Sequence, residues 1–465
     1  MNNTFARNRQ DIYEYPANMT PKKSTTDHQE ELFRAKLENI IDMSHELVKA
    51  AKMLDWEALE SHFGATYCPN NGRPAINTRL MLGLQMLRCL HDISDEEVLS
   101  VWLQNPYWQY FCGMDYFQHK MPIDPSSMTR WRNRFGDAGV STIAKALLDA
   151  MFEKKIITKS DFKKVTLDTT VQTKAVRYPT DIMLYDRQRE HLVGFAKAEG
   201  IKLRQNYNEI AKSLIRRYSG YMHAKQFKRA KKVMRSVKCY LGRVVRDIER
   251  NAKEMSEGLK SELEQANKLL KQQRHDKNKI YSIHATEVEC IAKGKAHKPY
   301  EFGVKAGFAV STKSNWILGA IALPNNPYDG HTIEATLESM KEMSGQEPEE
   351  ILCDLGYRRK DDIRTEAKVH IVKRSRRGLS RGMKKFWNRR SAIEPIIGHM
   401  KSEHGLERNA LKGELGDRIN VVMSALGYNF KKLLNVLKEQ KTLLAKILLS
   451  ILESLFAKNP LPLLR

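Results

Sequence analysis

Three acidic residues, far apart along the chain, occupy positions from which they could hold divalent metal ions. Asp168 lies near the end of a predicted strand over residues 164–171, and Asp354 directly follows a short apolar strand over residues 350–353. Glu394 lies on a later predicted helix. Mg²⁺ prefers carboxylate and water oxygens, so this set fits a two-metal phosphoryl-transfer site. Taken singly, each aspartate could equally be a turn residue, since Asp after a strand is common turn chemistry.

The segment around Glu394 adds an aromatic and two basic residues at helical spacing. Four residues fall within a stripe about 60° wide on one face of a regular helix: Trp387, Arg390, Glu394 and Lys401. The guanidinium could clamp a phosphate, the ammonium could act as a point charge, and the aromatic ring could stack on a base. Pro395 would either kink this helix or begin it.

Two further basic groups are candidate DNA contacts. The first lies on a predicted helix after Asp124-Pro125, where arginines alternate with an apolar stripe that includes Trp131: Arg130, Arg132 and Arg134. The second lies in a basic loop that leads into the Glu394 helix: Arg374, Arg376 and Arg377. Both groups could instead be solvated charged surfaces.

The elements that must position these residues are predicted as an α/β core with helical additions. Without the basic block described next, strands and helices alternate over residues 164–403 as in a mixed sheet flanked by helices. We divide the chain into six segments: a tail and helix (1–55), a helical, helix-turn-helix-like domain (56–155), the first part of the core (156–186), a helical insert (187–280), the rest of the core (281–437) and a C-terminal helix (438–465).

The predicted insert differs in character from the rest of the chain. Residues 187–280 contain 25 Lys and Arg residues against 10 Asp and Glu, and their apolar residues keep a helical period. We expect roughly three helices there. The surplus charge could clamp DNA or contact a second protomer, and the sequence does not separate these alternatives.

Composition narrows the functional class. The 465 residues carry a net charge of +24, which most often indicates a polyanionic partner such as nucleic acid. The six cysteines form no C-x-x-C pair, which argues against a zinc ribbon or a disulfide scaffold. The chain has neither a membrane-spanning apolar run nor a secretory start, so we expect an intracellular protein without a membrane partner.

In the acidic residues and motifs described above, the chain resembles bacterial DDE-type insertion-sequence transposases. The resemblance is to the superfamily of families four and five. The relevant group carries a Y-x2-R-x3-E-x6-K signature. The resemblance covers roughly residues 56–437 and includes the phrases LDTTVQTKAVRYPTD, NPYDGHT, ILCDLGYR and IEPIIGHMKSEHGLERN. Trp387 stands where the family usually has Tyr.

This resemblance implies a ribonuclease-H-like catalytic core in which Asp168, Asp354 and Glu394 bind two Mg²⁺ or Mn²⁺ ions. It further implies that Arg390 and Lys401 hold the backbone of the transposon end. The implied reaction is hydrolysis at each end, followed by attack of the freed 3′-hydroxyl on target DNA. The expected partners are double-stranded transposon ends and target DNA, bound by a homodimer in the bacterial cytoplasm at the nucleoid.

Two rival functions remain open at this stage. A domesticated or catalytically silent copy would bind DNA without cutting it, for instance as a repressor. A structure-selective nuclease on the same core would stop at hydrolysis. The three intact acidic residues argue against the first, and transfer of a cut 3′ end into a target would exclude the second.

We predict that the affinity of the protein for duplex DNA falls steeply with salt. Each phosphate contact made by Lys or Arg releases counterions, so the logarithm of the binding constant declines linearly with the logarithm of the salt concentration. Fluorescence anisotropy between about 50 and 200 mM salt measures this slope. A flat response would contradict the assignment of the basic residues to DNA.

Overall fold

A computed structural model describes residues 34–67, 75–293, 298–358, 365–373 and 377–458, with side chains described as far as residue 440. The chain divides into two compact units. Unit 1 contains residues 1–172, 305–411 and 415–465, and unit 2 contains residues 173–304 and 412–414.

The N-terminal part of unit 1 is helical, as the sequence predicts. Side-chain caps begin several of its helices: the Ser94 hydroxyl accepts a hydrogen bond from the Glu97 amide at 3.1 Å, and the Asn105 carbonyl oxygen accepts one from Tyr107 at 3.0 Å. The helices are α1 (Leu37–Ile40), α2 (Glu46–Met53), α3 (Trp56–Gly64), α4 (Thr78–His91), α5 (Asp95–Gln104), α6 (Pro106–Phe111), α7 (Ser126–Glu153) and α8 (Lys159–Lys163).

Aromatic rings hold α7 against α3. Trp131 and Phe135 both pack on Phe63, with ring centroids 5.4 and 4.9 Å away. The apolar stripe predicted on this helix is therefore its buried face. Gly136 has a φ of 62° and interrupts the regular helix, so the basic segment and the rest of α7 are two helical stretches.

The structure corrects one candidate DNA contact on α7. Arg132 is 3 % exposed, donates a 2.9 Å hydrogen bond to Asp95 and a 3.2 Å bond to Gln85, and so lies inside the helical region. Burial opposes ionisation of Asp95, but the hydrogen bond and charge of Arg132 outweigh it and lower the pKa of this carboxyl. Arg132 cannot reach DNA from this position, and its role is structural.

The sheet has six strands and is mixed. Its strands are β1 (Lys164–Thr173), β2 (Glu289–Ala292), β3 (Tyr300–Ser311), β4 (Ile317–Leu323), β5 (Glu350–Cys353) and β6 (Lys368–Ile371). Strand order is β2-β3-β1-β5-β6, and β4 pairs with a second stretch of β3. The β3–β4 hairpin is antiparallel, whereas β1–β5 and β5–β6 are parallel. This arrangement agrees with the predicted α/β core; β2 was not predicted.

Further helices lie wholly or mainly in unit 1. They are α13 (Ile333–Ser344), α14 (Arg381–Asn388), α15 (Ile393–Glu403) and α16 (Gly413–Lys458). Helix α13 packs closely on β4: a Cβ added at Gly319 would lie 2.7 Å from the Met340 amide nitrogen, so only glycine fits there. The C-terminal helix predicted from residue 438 is the end of a longer helix, α16, which begins at Gly413.

Unit 2 contains the predicted insert. It has four helices rather than three, because the first begins before residue 187: α9 (Asp181–Ala198), α10 (Asn208–His223), α11 (Phe227–Asn251) and α12 (Glu257–Lys271). Leu192, Leu241, Val245, Ile248 and Leu263 belong to their shared buried core. The unit is thus held by its own apolar core. Across the described chain, no helix is long and apolar enough to cross a membrane.

We predict that Arg132→Met lowers the free energy of unfolding by about 3 kcal/mol, because the partly buried Asp95 carboxylate loses this partner and keeps only its ion pair with Arg88. Arg130→Met, on the same helix but exposed, is the matched control and should change it by less than about 0.5 kcal/mol. Urea unfolding followed by circular dichroism compares the two. Equal shifts would contradict the structural role of Arg132.

Candidate active site

The register of the sheet brings two of the three acidic residues side by side. Lys164 of β1 lies opposite Glu350 of β5, and the parallel pairing continues to Thr166 and Leu352. Two residues further along the same register, Asp168 within β1 and Asp354 just past the end of β5 are at the same level. Asp168 is in the middle of β1, not near its end, because the strand extends to Thr173.

One guanidinium joins all three acidic side chains. Arg390 Nη2 lies 3.5 Å from Asp168 Oδ2 and 3.3 Å from Asp354 Oδ2, and Arg390 Nη1 lies 3.0 Å from Glu394 Oε1. We call Asp168, Asp354 and Glu394 the acidic triad. Its members come from two strands and a helix that are distant in sequence, and they surround a single positive charge.

Backbone amides fix the orientation of both aspartates. The Thr169 N–H donates a 2.8 Å hydrogen bond to Asp168 Oδ1, and the Gly356 N–H donates a 2.7 Å bond to Asp354 Oδ1. A Cβ added at Gly356 would lie 2.9 Å from that same Asp354 oxygen, so a larger residue would displace the carboxylate. In each aspartate the second oxygen, Oδ2, faces Arg390.

The segment that carries Arg390 and Glu394 is not the single regular helix assumed in the sequence analysis. Helix α14 ends at Asn388, a 3-10 turn covers Arg389–Ala392, and α15 begins at Ile393. Pro395 is the third residue of α15, where its missing N–H has no intrahelical partner to lose. The predicted stripe from Trp387 to Lys401 is therefore broken, although Arg390 and Glu394 keep their i,i+4 contact.

Arg389 anchors this 3-10 turn to the β3–β4 connection. Its Nε donates a 2.6 Å hydrogen bond to the Thr312 carbonyl, and its Nη2 donates a 2.9 Å bond to Asn315 Oδ1. The next residue, Arg390, is thereby held over β1 and β5. Sequence reasoning missed Arg389, because its partners lie more than seventy residues away.

A fourth carboxylate lies beside the acidic triad. Asp329 Oδ1 accepts hydrogen bonds from Thr169 Oγ1 at 2.8 Å and Lys305 Nζ at 3.0 Å. Its Oδ2 lies 3.1 Å from the position of a Cβ added at Gly356. Its side chain caps no described helix, and Thr332 precedes α13. Its presence in the NPYDGHT phrase was the available signal.

The surroundings of Asp168 strongly perturb the pKa of its carboxyl. Burial raises the pKa of its carboxyl to about 6; the Arg390 charge opposes this rise, and the Asp354 charge adds to it. Tyr357 lies beneath the site, 1 % exposed, and burial followed by the Asp168 charge raises the pKa of its hydroxyl well above the usual value. The site therefore concentrates negative charge that a cation must neutralise.

The donor set fits a hard divalent cation. Three carboxylates already surround a positive group, and oxygen ligands of this kind are those that Mg²⁺ and Mn²⁺ accept. Among the described residues, no three His, Cys, Asp or Glu side chains are close enough to enclose a metal as they stand. The Arg390 guanidinium lies between the triad carboxylates, so ion binding there requires the guanidinium to withdraw.

The remaining predicted DNA contacts occupy varied positions. Trp387 is only 8 % exposed, so its ring would have to leave this position to stack on a base. Lys401 is half-buried on α15, and Arg377 is exposed. Arg130 is exposed and bonds to Ser126 at 2.6 Å. Arg134 covers the Tyr67 ring at 4.4 Å, and Arg374 and Arg376 lie outside the described residues.

Comparisons with known proteins find two transposase domains in the chain. Residues 35–134 match the family described as Transposase domain (DUF772), and residues 356–434 match the family described as Transposase DDE domain. A protein described as uncharacterized protein ORF8 in the nfe locus of Rhizobium meliloti is 45 % identical over 197 residues, which is 42 % of this chain and 95 % of the relative. No solved structure matches the chain significantly.

We predict that Asp168→Asn raises the free energy of unfolding at pH 8, in EDTA, by about 1–2 kcal/mol. A carboxyl whose pKa is raised to about 6 on folding is best accommodated when protonated, so wild-type stability from this group falls as the pH rises from about 4 to 6. The free energy of unfolding of Asp168→Asn should lack this decline between about pH 4 and pH 6.

Asp149→Asn, at an exposed position, serves as the control and should leave the decline unchanged. Urea unfolding at several pH values measures both. A wild-type protein that gains stability relative to Asp168→Asn over this pH range would contradict the prediction.

Proposed function

The chain belongs to the family of transposases that carry these two domains, which indicate DNA transposase function, and we propose that the acidic triad performs its chemistry. The protein would bind the ends of an insertion sequence, hydrolyse a phosphodiester at each end, and join the 3′-hydroxyls to target DNA. The observation that carries this proposal is the convergence of Asp168, Asp354 and Glu394 on Arg390.

The mixed sheet supports the proposed ribonuclease-H-like core. Its central parallel pair, β1 and β5, supplies two carboxylates at one level, and the 3-10 turn and α15 supply the arginine and the glutamate. Asp168, Asp354 and Glu394 would hold two divalent ions. When bound, these ions would activate the attacking oxygen and stabilise the leaving oxygen of an in-line displacement.

The chain's own residues orient the substrate around this centre. Arg390 neutralises the triad in the absence of DNA and, once withdrawn, can clamp a backbone phosphate with two parallel hydrogen bonds. Lys401 would add a point charge further along α15. Lys305 and Thr169 both donate hydrogen bonds to Asp329, so they fix the orientation of this fourth carboxylate.

The proposed partners follow from the reaction. Cutting both ends of one element and joining them to one target favours a dimer that holds two ends at once. Its substrates would be duplex transposon ends and target DNA, and its place would be the nucleoid of a bacterial cytoplasm. Exposed Arg130 and half-buried Arg134 remain the proposed contacts of the helical domain, with Arg377 and Lys401 beside the core.

We predict that Asp168→Asn, Asp354→Asn and Glu394→Gln each reduce strand cleavage by at least about a thousandfold while binding of the transposon end persists. Each change removes a metal-binding charge without changing side-chain volume. Cleavage of a labelled duplex that carries the element's own inverted repeat, in Mg²⁺, gives the rate. Gel shift in EDTA gives the affinity.

Glu338→Gln, exposed on α13, is the matched control and should cut at the wild-type rate. A triad variant that retains near-wild-type cutting would remove that residue from the site. Wild-type protein that binds ends but never cuts them would favour a silent repressor. Cutting without transfer of the 3′ end into a target plasmid would favour a nuclease.

A further inference from the structure

One face of α11 in unit 2 is strongly basic, and the proposed chemistry does not use it. Between residues 227 and 246 this helix contains eight Lys and Arg residues and no Asp or Glu. Six of its basic side chains are exposed and share one face: Lys228, Lys232, Arg235, Arg243, Arg246 and Arg250. We call them the α11 stripe.

Helix geometry places these six side chains along one exposed line parallel to the axis of α11. At 100° per residue the six positions fall within an arc about 80° wide, and at 1.5 Å per residue they extend for about 33 Å. The buried residues of α11, among them Val233, Val237 and Val244, lie on the opposite side. The first carboxylates of the helix, Asp247 and Glu249, lie about 80° to either side of the arc centre.

Among the described residues, no carboxylate neutralises the charge of the stripe through an ion pair. None of the six side chains forms an ion pair with a carboxylate in the described part of the chain. Like charges three and four residues apart, such as Lys228 with Lys232 and Arg246 with Arg250, repel each other.

The start of α11 adds a second unfavourable term. Its first turn contains no acidic residue, and its N-cap, Gln226, makes no capping side-chain hydrogen bond. Cations beside the positive end of a helix dipole are destabilising, and Lys228 lies in this first turn. An external anion along the stripe would relieve both the repulsion and the dipole conflict.

We propose that the α11 stripe binds the phosphate backbone of duplex DNA without reading its sequence. The stripe is about as long as one turn of B-DNA, which carries one negative charge per about 1.7 Å of its axis. The choice of DNA as the polyanion rests on the proposed function. A second copy of the chain is a weaker partner, because each copy carries a net charge of +24.

The test compares two charge-matched triple variants of the full-length protein. The first is Lys228→Gln, Lys232→Gln, Arg235→Gln in the stripe. The control removes the same charge from exposed positions of α12, a helix that contains three Lys and three Glu: Lys260→Gln, Lys268→Gln, Lys271→Gln. Fluorescence anisotropy with a random-sequence duplex of about four turns, over a series of salt concentrations, gives the slope of log affinity against log salt.

The stripe variant should bind more weakly than wild type, with a slope shallower by about 2 to 3, because three phosphate contacts are lost. The α12 variant should keep the wild-type slope. Thermal unfolding separates binding from folding, since the stripe variant, relieved of repulsion, should melt no lower than wild type.

Equal slopes for the two triple variants would overturn the proposal. So would a stripe variant that binds DNA like wild type but loses self-association in sedimentation, because the face would then be a contact between protomers. The readout is independent of catalysis: wild-type protein that fails to cut would refute the proposed function and leave the slope comparison valid.

Discussion

Everything at the candidate active site depends on the balance between three carboxylates and one guanidinium. Asp168 and Asp354 are adjacent because β1 and β5 pair in a fixed parallel register, and Glu394 joins them because a 3-10 turn directs Arg390 over these strands. Three carboxylates this close together would destabilise the folded protein if no cation neutralised them. The arginine supplies that cation within the chain, and its three contacts hold the site together before any substrate arrives.

Neighbouring side chains maintain this balance of charge at the site. Arg389 fixes the turn through the Thr312 carbonyl, so Arg390 needs no other anchor. Lys305 neutralises Asp329, which keeps a fourth carboxylate from adding further uncompensated charge. In the proposed function, this separation of roles between adjacent arginines would let the Arg390 side chain exchange partners while the backbone that carries it stays in place.

The sequence predicted the parts of this site that local patterns encode. Runs of β-branched and apolar residues located β1 and β5, and the acidic residues that follow or interrupt them were recognisable from chemistry alone. Local patterns did not show the roles of Arg389 and Asp329, because those roles depend on Thr312 and Thr169, which are distant along the chain. The burial of Arg132 was missed for a similar reason: three alternating arginines look alike until Asp95 shows which one points inward.

The ends of unit 2 meet on neighbouring strands. The Lys174 amide, just after β1, donates a 2.9 Å hydrogen bond to the Phe302 carbonyl near the start of β3. The chain segment that connects β1 to β3 through unit 2 is therefore, topologically, one enlarged hairpin connection. The entropy of closing such a connection grows only with the logarithm of its length. The sheet can therefore tolerate large gains or losses of sequence at this point, while a single-residue insertion inside β1 would turn one triad carboxylate to the wrong side.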